Sequence, residues 1–415
     1  MRKDNLQQKG ILISTSVCYI AGVLWSGTIF RSVVINIIWT LSALISVLIK
    51  IVPNHMKLHV SKRYKGLVLW ALLYMGICYA STYWAADSNL ARNKAFLVFR
   101  ILLTLLLFMY TYNDIDQLLK AIMYGGHGAA LVFIIVNGLT LVIVKMKMGL
   151  RLGDAGLNGN VLGMAATISV LISLYFILDQ GLKFSSLLCI PSLFIIAVSQ
   201  SRKSIIALFI GIVMLLFLRS TKKNRFIINT GKFVLSIAVL LVAFYFLLNL
   251  PFMSFAKERF EGFIAYFSNT GPLKVDSSTY VRYQLKEYGR ETIRNNLFAG
   301  VGLDNARLYN PYNLYLHDNY LEMFANLGII GFGVYYSFYV MILICYIKNF
   351  DTKDHQFNLC FVLFAIILIM DYGRVTYYDL SQYFFLLVFW MKSQNLFERN
   401  KQQCLQNRRN SEENI

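Results

Sequence analysis

The stretch His317-Asp318-Asn319-Tyr320-Leu321-Glu322-Met323-Phe324-Ala325-Asn326-Leu327-Gly328-Ile329-Ile330-Gly331 is where a long polar interruption, residues 251–319, gives way to a hydrophobic run. On either side of that interruption the chain is apolar. Of its 415 residues 57% are hydrophobic and only 15% charged, and the mean hydropathy is +0.55. Soluble domains carry about 25% charged residues. Roughly 20 apolar residues cross the hydrocarbon core, and on that measure about twelve runs qualify as transmembrane helices. They fall near 11–30, 32–52, 66–84, 95–111, 118–144, 161–178, 185–199, 204–218, 232–250, 322–346, 357–371 and 379–391.

Met1-Arg2-Lys3 ahead of the first run imitates a signal peptide, but no small-x-small cleavage site follows, so the segment is expected to stay as a span. With an even number of spans both termini lie on one side. The segments on the side of the termini hold more than twice the Lys and Arg of the opposite loops, which predicts N-in and C-in. The expected fold is therefore an all-α polytopic integral membrane protein with one long helical extracytoplasmic loop. It divides into a membrane domain at 1–250, the loop at 251–319, a second membrane part at 320–393 and a cytoplasmic polar tail at 394–415.

The formal net charge of +19 does not call for nucleic acid. Topology and attraction to anionic lipid account for most of it. The six cysteines, Cys18, Cys78, Cys189, Cys345, Cys360 and Cys404, fall in spans or in the tail, which indicates neither a disulfide framework nor a metal cluster. No Gly-rich nucleotide loop or nucleophile elbow is present, which argues against a nucleotide-sugar donor or an ATP-driven pump.

Inside the long loop, residues 253–268 have the spacing of an amphipathic surface helix, ended by Asn269-Thr270-Gly271-Pro272. A second helix is predicted over 280–297, carrying Arg282, Lys286, Arg290 and Arg294. A four-residue repeat advances about 40° per step on a helix, so these cations form one slowly turning stripe. Arg202 sits in the short outer turn Ser199-Gln200-Ser201-Arg202-Lys203-Ser204. It reads equally as an interfacial arginine reaching lipid phosphate or as a fork for a substrate phosphate. Arg151, in a basic Gly-rich loop, and Arg307 are further anion-binding candidates.

His317, the one histidine expected on the outer side, stands beside Asp318, Asn319 and Glu322. It reads as a hydrogen-bonded structural residue or as a general base whose ring those neighbours orient. His127 and Arg100 lie within predicted spans, where an ionisable group is costly and by default suggests function, although Arg100 is near enough to one end to snorkel.

Several of these segments, taken in order, resemble the O-antigen polymerase and ligase family. They are Gln200-Ser201-Arg202, Arg151-x-Gly-x-x-Gly156-x-Asn158-x-Asn160, Arg282, Asn296-Leu297-Phe298 with Gly300-Val301-Gly302, His317-x-Asn319-Tyr320-Leu321 and Leu327-Gly-Ile-Ile-Gly331. Trp84-Ala-Ala-Asp87 is similar to an earlier turn of that family. Two departures stand out: Asp318 separates His317 from Asn319, and Lys286 replaces an aromatic residue.

The resemblance implies a GT-C-like membrane glycosyltransferase of the bacterial cytoplasmic membrane. Its substrate would be a polyprenyl-pyrophosphate-linked glycan, used without cofactor or metal. The implied reaction is polymerisation of repeat units into capsular, exopolysaccharide or O-antigen chains by inverting transfer. Arg202, Arg282 and His317 would be catalytic, and Arg151, Arg307, Asp318, Asn319 and Glu322 would bind substrate. Expected companions are membrane lipid, a flippase and a chain-length regulator, with no nucleic acid. A ligase moving finished glycan to another acceptor uses the same parts. A lipid-linked oligosaccharide flippase is the alternative of another class, but it predicts related halves that this sequence does not display.

Overall fold

In a computed structural model, the structure describes residues 2–27, 32–52, 64–138, 159–199, 201–220 and 277–412, with Val234, Ala238, Val242 and Asn249 as isolated positions. Among these residues every regular element is helical. The helices are α1 (Arg2–Gly27), α2 (Val33–Ile51), α3 (Lys65–Ala80), α4 (Ser88–Thr111), α5 (Ile115–Asn137) and α6 (Gly159–Gln180). They continue with α7 (Cys189–Val198), α8 (Arg202–Ser220), α9 (Ser277–Asn295), α10 (Asn319–Lys348), α11 (His355–Asp371) and α12 (Leu380–Glu412).

Seven of them are long and apolar enough to cross a membrane: α1 to α6, with α3 extended to Tyr83, and α10. α2 shows why the medium is lipid. Val33, Val34, Ile37, Leu41, Leu44, Ile45 and Leu48 are all exposed along its surface, and an apolar stripe of that extent is not tolerated in water. The chain is a multi-pass membrane protein. The expected span at 185–199 is a ten-residue helix, α7, after a short 3₁₀ turn at Phe184–Leu188. Counted with that turn the apolar helical stretch is Ser185–Val198, shorter than the roughly 20 residues that cross the hydrocarbon core. The expected span at 232–250 and the surface helix at 253–268 lie outside the described residues.

Aspartates start several helices by accepting from the first free N–H groups: Asp87 for α4, Asp114 for α5, Asp318 for α10 and Asp354 for α11. His127 is a structural fastening. Its two ring nitrogens lie 2.6 Å from Ser192 Oγ and 2.8 Å from Ser173 Oγ, tying α5 to α7 and α6.

The element that positions the site is a break in α10. Gly328 has φ 64°, outside the helical region. The break is filled by the Gly300-Val301-Gly302 turn. Val301 N–H donates to Ala325 O at 3.0 Å and Gly302 N–H to Asn326 O at 2.8 Å, while Ile329 N–H donates to Leu297 O at 2.9 Å. Gly300 and Gly302 also have positive φ, and a Cβ on Gly300 or Gly328 would run into the opposite backbone. The glycine motifs therefore let two backbones satisfy one another where the helix is interrupted. The Trp84–Asp87 turn closes over the same junction, with Trp84 Nε1 donating to Ala299 O at 3.1 Å and Asp87 N–H to Asn305 Oδ1 at 2.7 Å.

Candidate active site

His317 ends the loop that crosses from the glycine junction to α10. Asn310 folds the start of this stretch, donating to Leu314 O at 2.8 Å and accepting from Tyr312 N–H at 3.1 Å. Buried Leu316 packs over Gly289 of α9, and its N–H donates to Glu322 Oε2 at 2.7 Å. His317 itself has φ 57°, and its ring lies against Tyr315 with centroids 4.2 Å apart. Backbone fastenings on both sides thus aim the imidazole.

His317 lines a cavity of about 60 Å³ together with Lys203, Arg282, Arg374, Tyr315 and Tyr378. Lys203 comes from the first turn of α8, Arg282 from α9 and Arg374 from the turn between α11 and α12. Lys203 Nζ donates to Gly373 O, and Arg374 pairs with Asp379. Behind them Lys286 Nζ lies 2.7 Å from Asp318 Oδ2 and 2.9 Å from Tyr372 O. Burial and the positive charges of Arg282, Lys203 and Lys286 push the His317 pKa down to about 3. The imidazole is thus uncharged at neutral pH, and burial together with Arg282, Lys286 and Arg374 lowers the Lys203 ammonium in the same cavity to about 7.

The basic stripe divides as its slow turn requires. Arg282 faces the cavity and Lys286 backs it, whereas Arg290 and Arg294 are exposed and Arg290 pairs with Glu287. Within the Ser-Arg-Lys turn Lys203 lines the cavity, and Arg202 sits half-buried at the first position of α8. Arg307 lines a neighbouring cavity instead, 3.8 Å from Asp304. Arg151 lies outside the described residues.

The three polar neighbours of His317 do not orient its ring, which corrects the sequence expectation. Asp318 caps α10 through Tyr320 and Leu321 N–H and holds Lys286. Fully buried Asn319 accepts from Thr376 and Tyr377 N–H at 2.8 and 3.1 Å and donates to the Tyr336 hydroxyl at 2.8 Å. Buried Glu322 accepts from Leu316 N–H and from Asn326 Nδ2. Each side chain meets a backbone donor at a turn, and no hydrogen bond joins any of the three to the imidazole among the described residues.

Residues 187–336 match the family model for O-antigen ligase. The resemblance read from the motifs is borne out over that stretch, and a comparison with curated proteins finds no match. The matched stretch holds Lys203, Arg282, Lys286 and His317, together with the whole glycine junction. Arg374 and Tyr378 reach the same cavity from beyond it. Four contributors, Tyr315, Tyr378, Lys203 and Arg374, are not singled out by the sequence. Tyr315 lacked any spacing signal, and Lys203 was passed over for its neighbour. Arg374 is visible in the sequence only as a cation in a loop expected on the side where positive charge is disfavoured.

Proposed function

We propose that the protein joins polyprenyl-pyrophosphate-linked oligosaccharide repeat units into a polysaccharide on the outer face of the bacterial cytoplasmic membrane. The observation that carries this reading is His317 beside Lys203, Arg282 and Arg374 in one cavity, where burial and the neighbouring cations disfavour the imidazolium. Cations so arranged suit the pyrophosphate of the donor. Arg282 offers a planar fork for two phosphate oxygens, and Arg202 adds charge at the start of α8.

In the reaction the acceptor hydroxyl oxygen attacks the anomeric carbon of the donor from the face opposite the pyrophosphate. The anomeric C–O bond breaks, and its electron pair leaves with the lipid pyrophosphate, inverting the centre. Arg282, Lys203 and Arg374 stabilise the charge that grows on that leaving group. The hydroxyl proton passes to the free imidazole nitrogen of His317. The bound pyrophosphate itself makes His317 a better base, because its negative charge offsets the cations that hold the pKa down. Asp318, Asn319 and Glu322 act indirectly, by fixing the backbone on which His317 stands.

The test is a deletion strain complemented with wild type or His317→Ala, with gels of surface glycan and of lipid-linked intermediates. A polymerase predicts single repeat units in place of long chains when His317 is lost. Long chains retained on lipid would point to the ligase reaction, and units trapped inside to a flippase. Unchanged chain length in His317→Ala would remove the proposed base.

A further inference from the structure

A second cavity, of about 390 Å³, opens beside the first between α1, α4 and the loop following α9, and Tyr315 and Tyr378 line both. Its charged lining is Lys94, Arg100, Arg307 and Asp304, three cations against one carboxylate. Lys94 lies 3.2 Å from Asp304 and 3.9 Å from the Tyr378 ring centroid, at the end nearest the first cavity. Arg100 is six residues further along α4, about 9 Å deeper, within a span of mean hydropathy 1.8. A cation held there is costly, and such residues mark substrate paths.

Arg100 is held by one edge and one face only. Its guanidinium lies 3.8 Å over the Trp39 ring, and its Nη1 donates to Asn36 Oδ1 at 2.9 Å. The Trp39 indole is itself fixed, donating to Thr104 Oγ1 at 3.2 Å. Among the described residues the opposite edge, Nε and Nη2, is buried and makes no hydrogen bond, and neither does the buried Nε of Arg307. An unsatisfied buried donor is costly, and more so when it is charged. Nε and Nη2 form the parallel fork that a phosphate oxygen pair accepts. The lining residue Phe96 is 59% exposed, so the cavity has an apolar edge at the protein surface as well as a boundary at Tyr315.

We propose that this cavity binds the phosphate head of a second lipid, the lipid-linked acceptor, with Arg100 and Arg307 as its anion contacts and its chain leaving past Phe96. The assignment rests on the proposed polymerase reading. It adds that the two lipid-linked substrates dock on opposite sides of the Tyr315–Tyr378 wall, so that the acceptor hydroxyl reaches His317 from this side.

The test counts bound lipids on the full-length protein in nanodiscs by native mass spectrometry, titrating a short-chain polyprenyl pyrophosphate and, separately, phosphatidylglycerol. Wild type should take two pyrophosphate lipids. Arg100→Gln with Arg307→Gln should lose one, weakened about ten- to a hundredfold, and the equivalent that remains shows that the protein is folded. Arg282→Gln should lose the other, and its failure to do so would count against the polymerase reading while leaving the second cavity standing. The proposal is overturned if the Arg100/Arg307 variant still binds two. It is also overturned if phosphatidylglycerol displaces the second equivalent as readily as the pyrophosphate does, which would make the cavity a site for ordinary bilayer lipid.

Discussion

Lys286 Nζ and Asp318 Oδ2 lie 2.7 Å apart, with the carboxylate almost wholly buried, and the pair ties the loop helix α9 to the first turn of α10 directly beside His317. Removing one partner of a buried pair leaves the other uncompensated, which is costlier than losing both. Lys286→Met should therefore destabilise the protein by about 1–3 kcal/mol and lower kcat, because His317 loses its backing. Lys286→Met combined with Asp318→Asn should recover part of the stability without recovering the rate. Thermal unfolding in detergent and elongation kinetics measure the two separately.

The low pKa of His317 has a kinetic consequence. An ordinary histidine base would bring an acid limb near pH 6.5 into the profile of kcat/KM, which reports the free protein. Here the base is already deprotonated well below that, with its pKa pushed down to about 3. The histidine limb should be missing between pH 5 and 8 in kcat/KM. It should move upward in kcat, where bound pyrophosphate favours the imidazolium. For stability the sign follows from the unfolded chain, in which the imidazole takes up its proton near pH 6.5 while the folded one does not. Stability contributed by His317 is thus full above about 6.5 and declines as pH falls toward about 3. A thermal-shift series over pH, with His317→Gln as the comparison, should show the wild-type slope flattened in the variant.

Much of this architecture was legible from patterns along the chain. Hydropathy located α1 to α6 and α10, because a span must be apolar for about 20 residues in a row. Four-residue spacing located α9 and its slowly turning stripe of cations. What was not legible depended on angles and on distant partners. Whether Arg202 or Lys203 faces the cavity is a matter of one residue, about 100° on a helix, and no local signal sets that phase. Arg374 and Tyr315 join the site only through the packing of α9, α10 and α11. Asp318 and Glu322 look like partners for His317 in sequence, but turn geometry assigns them to backbone donors instead.

The same contrast separates motif from chemistry at Gly328. Its φ of 64° and its approach to Phe298 leave no room for a side chain. Gly328→Ala should cost about 1–3 kcal/mol for the backbone conformation alone, and more from the clash. Because it breaks the junction with Gly300-Val301-Gly302, the variant should accumulate poorly in the membrane. Any protein that does fold should show an altered KM for both lipid substrates. Gly333, with nothing within 4 Å of where its Cβ would stand, is the matched control: Gly333→Ala should leave expression unchanged.

The division of the basic stripe gives the most direct test of the site. Arg282 lines the cavity, whereas Arg290 is exposed and paired with Glu287. An exposed ion pair of that kind contributes about 0–1 kcal/mol, so Arg290→Gln should change elongation less than about threefold. Arg282→Gln removes a charged donor from the leaving pyrophosphate and should lower kcat/KM by about 10²–10³. Arg282→Lys separates charge from shape: it keeps the cation but loses the fork, and should recover only part of the loss. Equal effects at positions 282 and 290 would mean that the loop helix acts as a general basic surface for lipid headgroups, and the site would then have to be sought elsewhere.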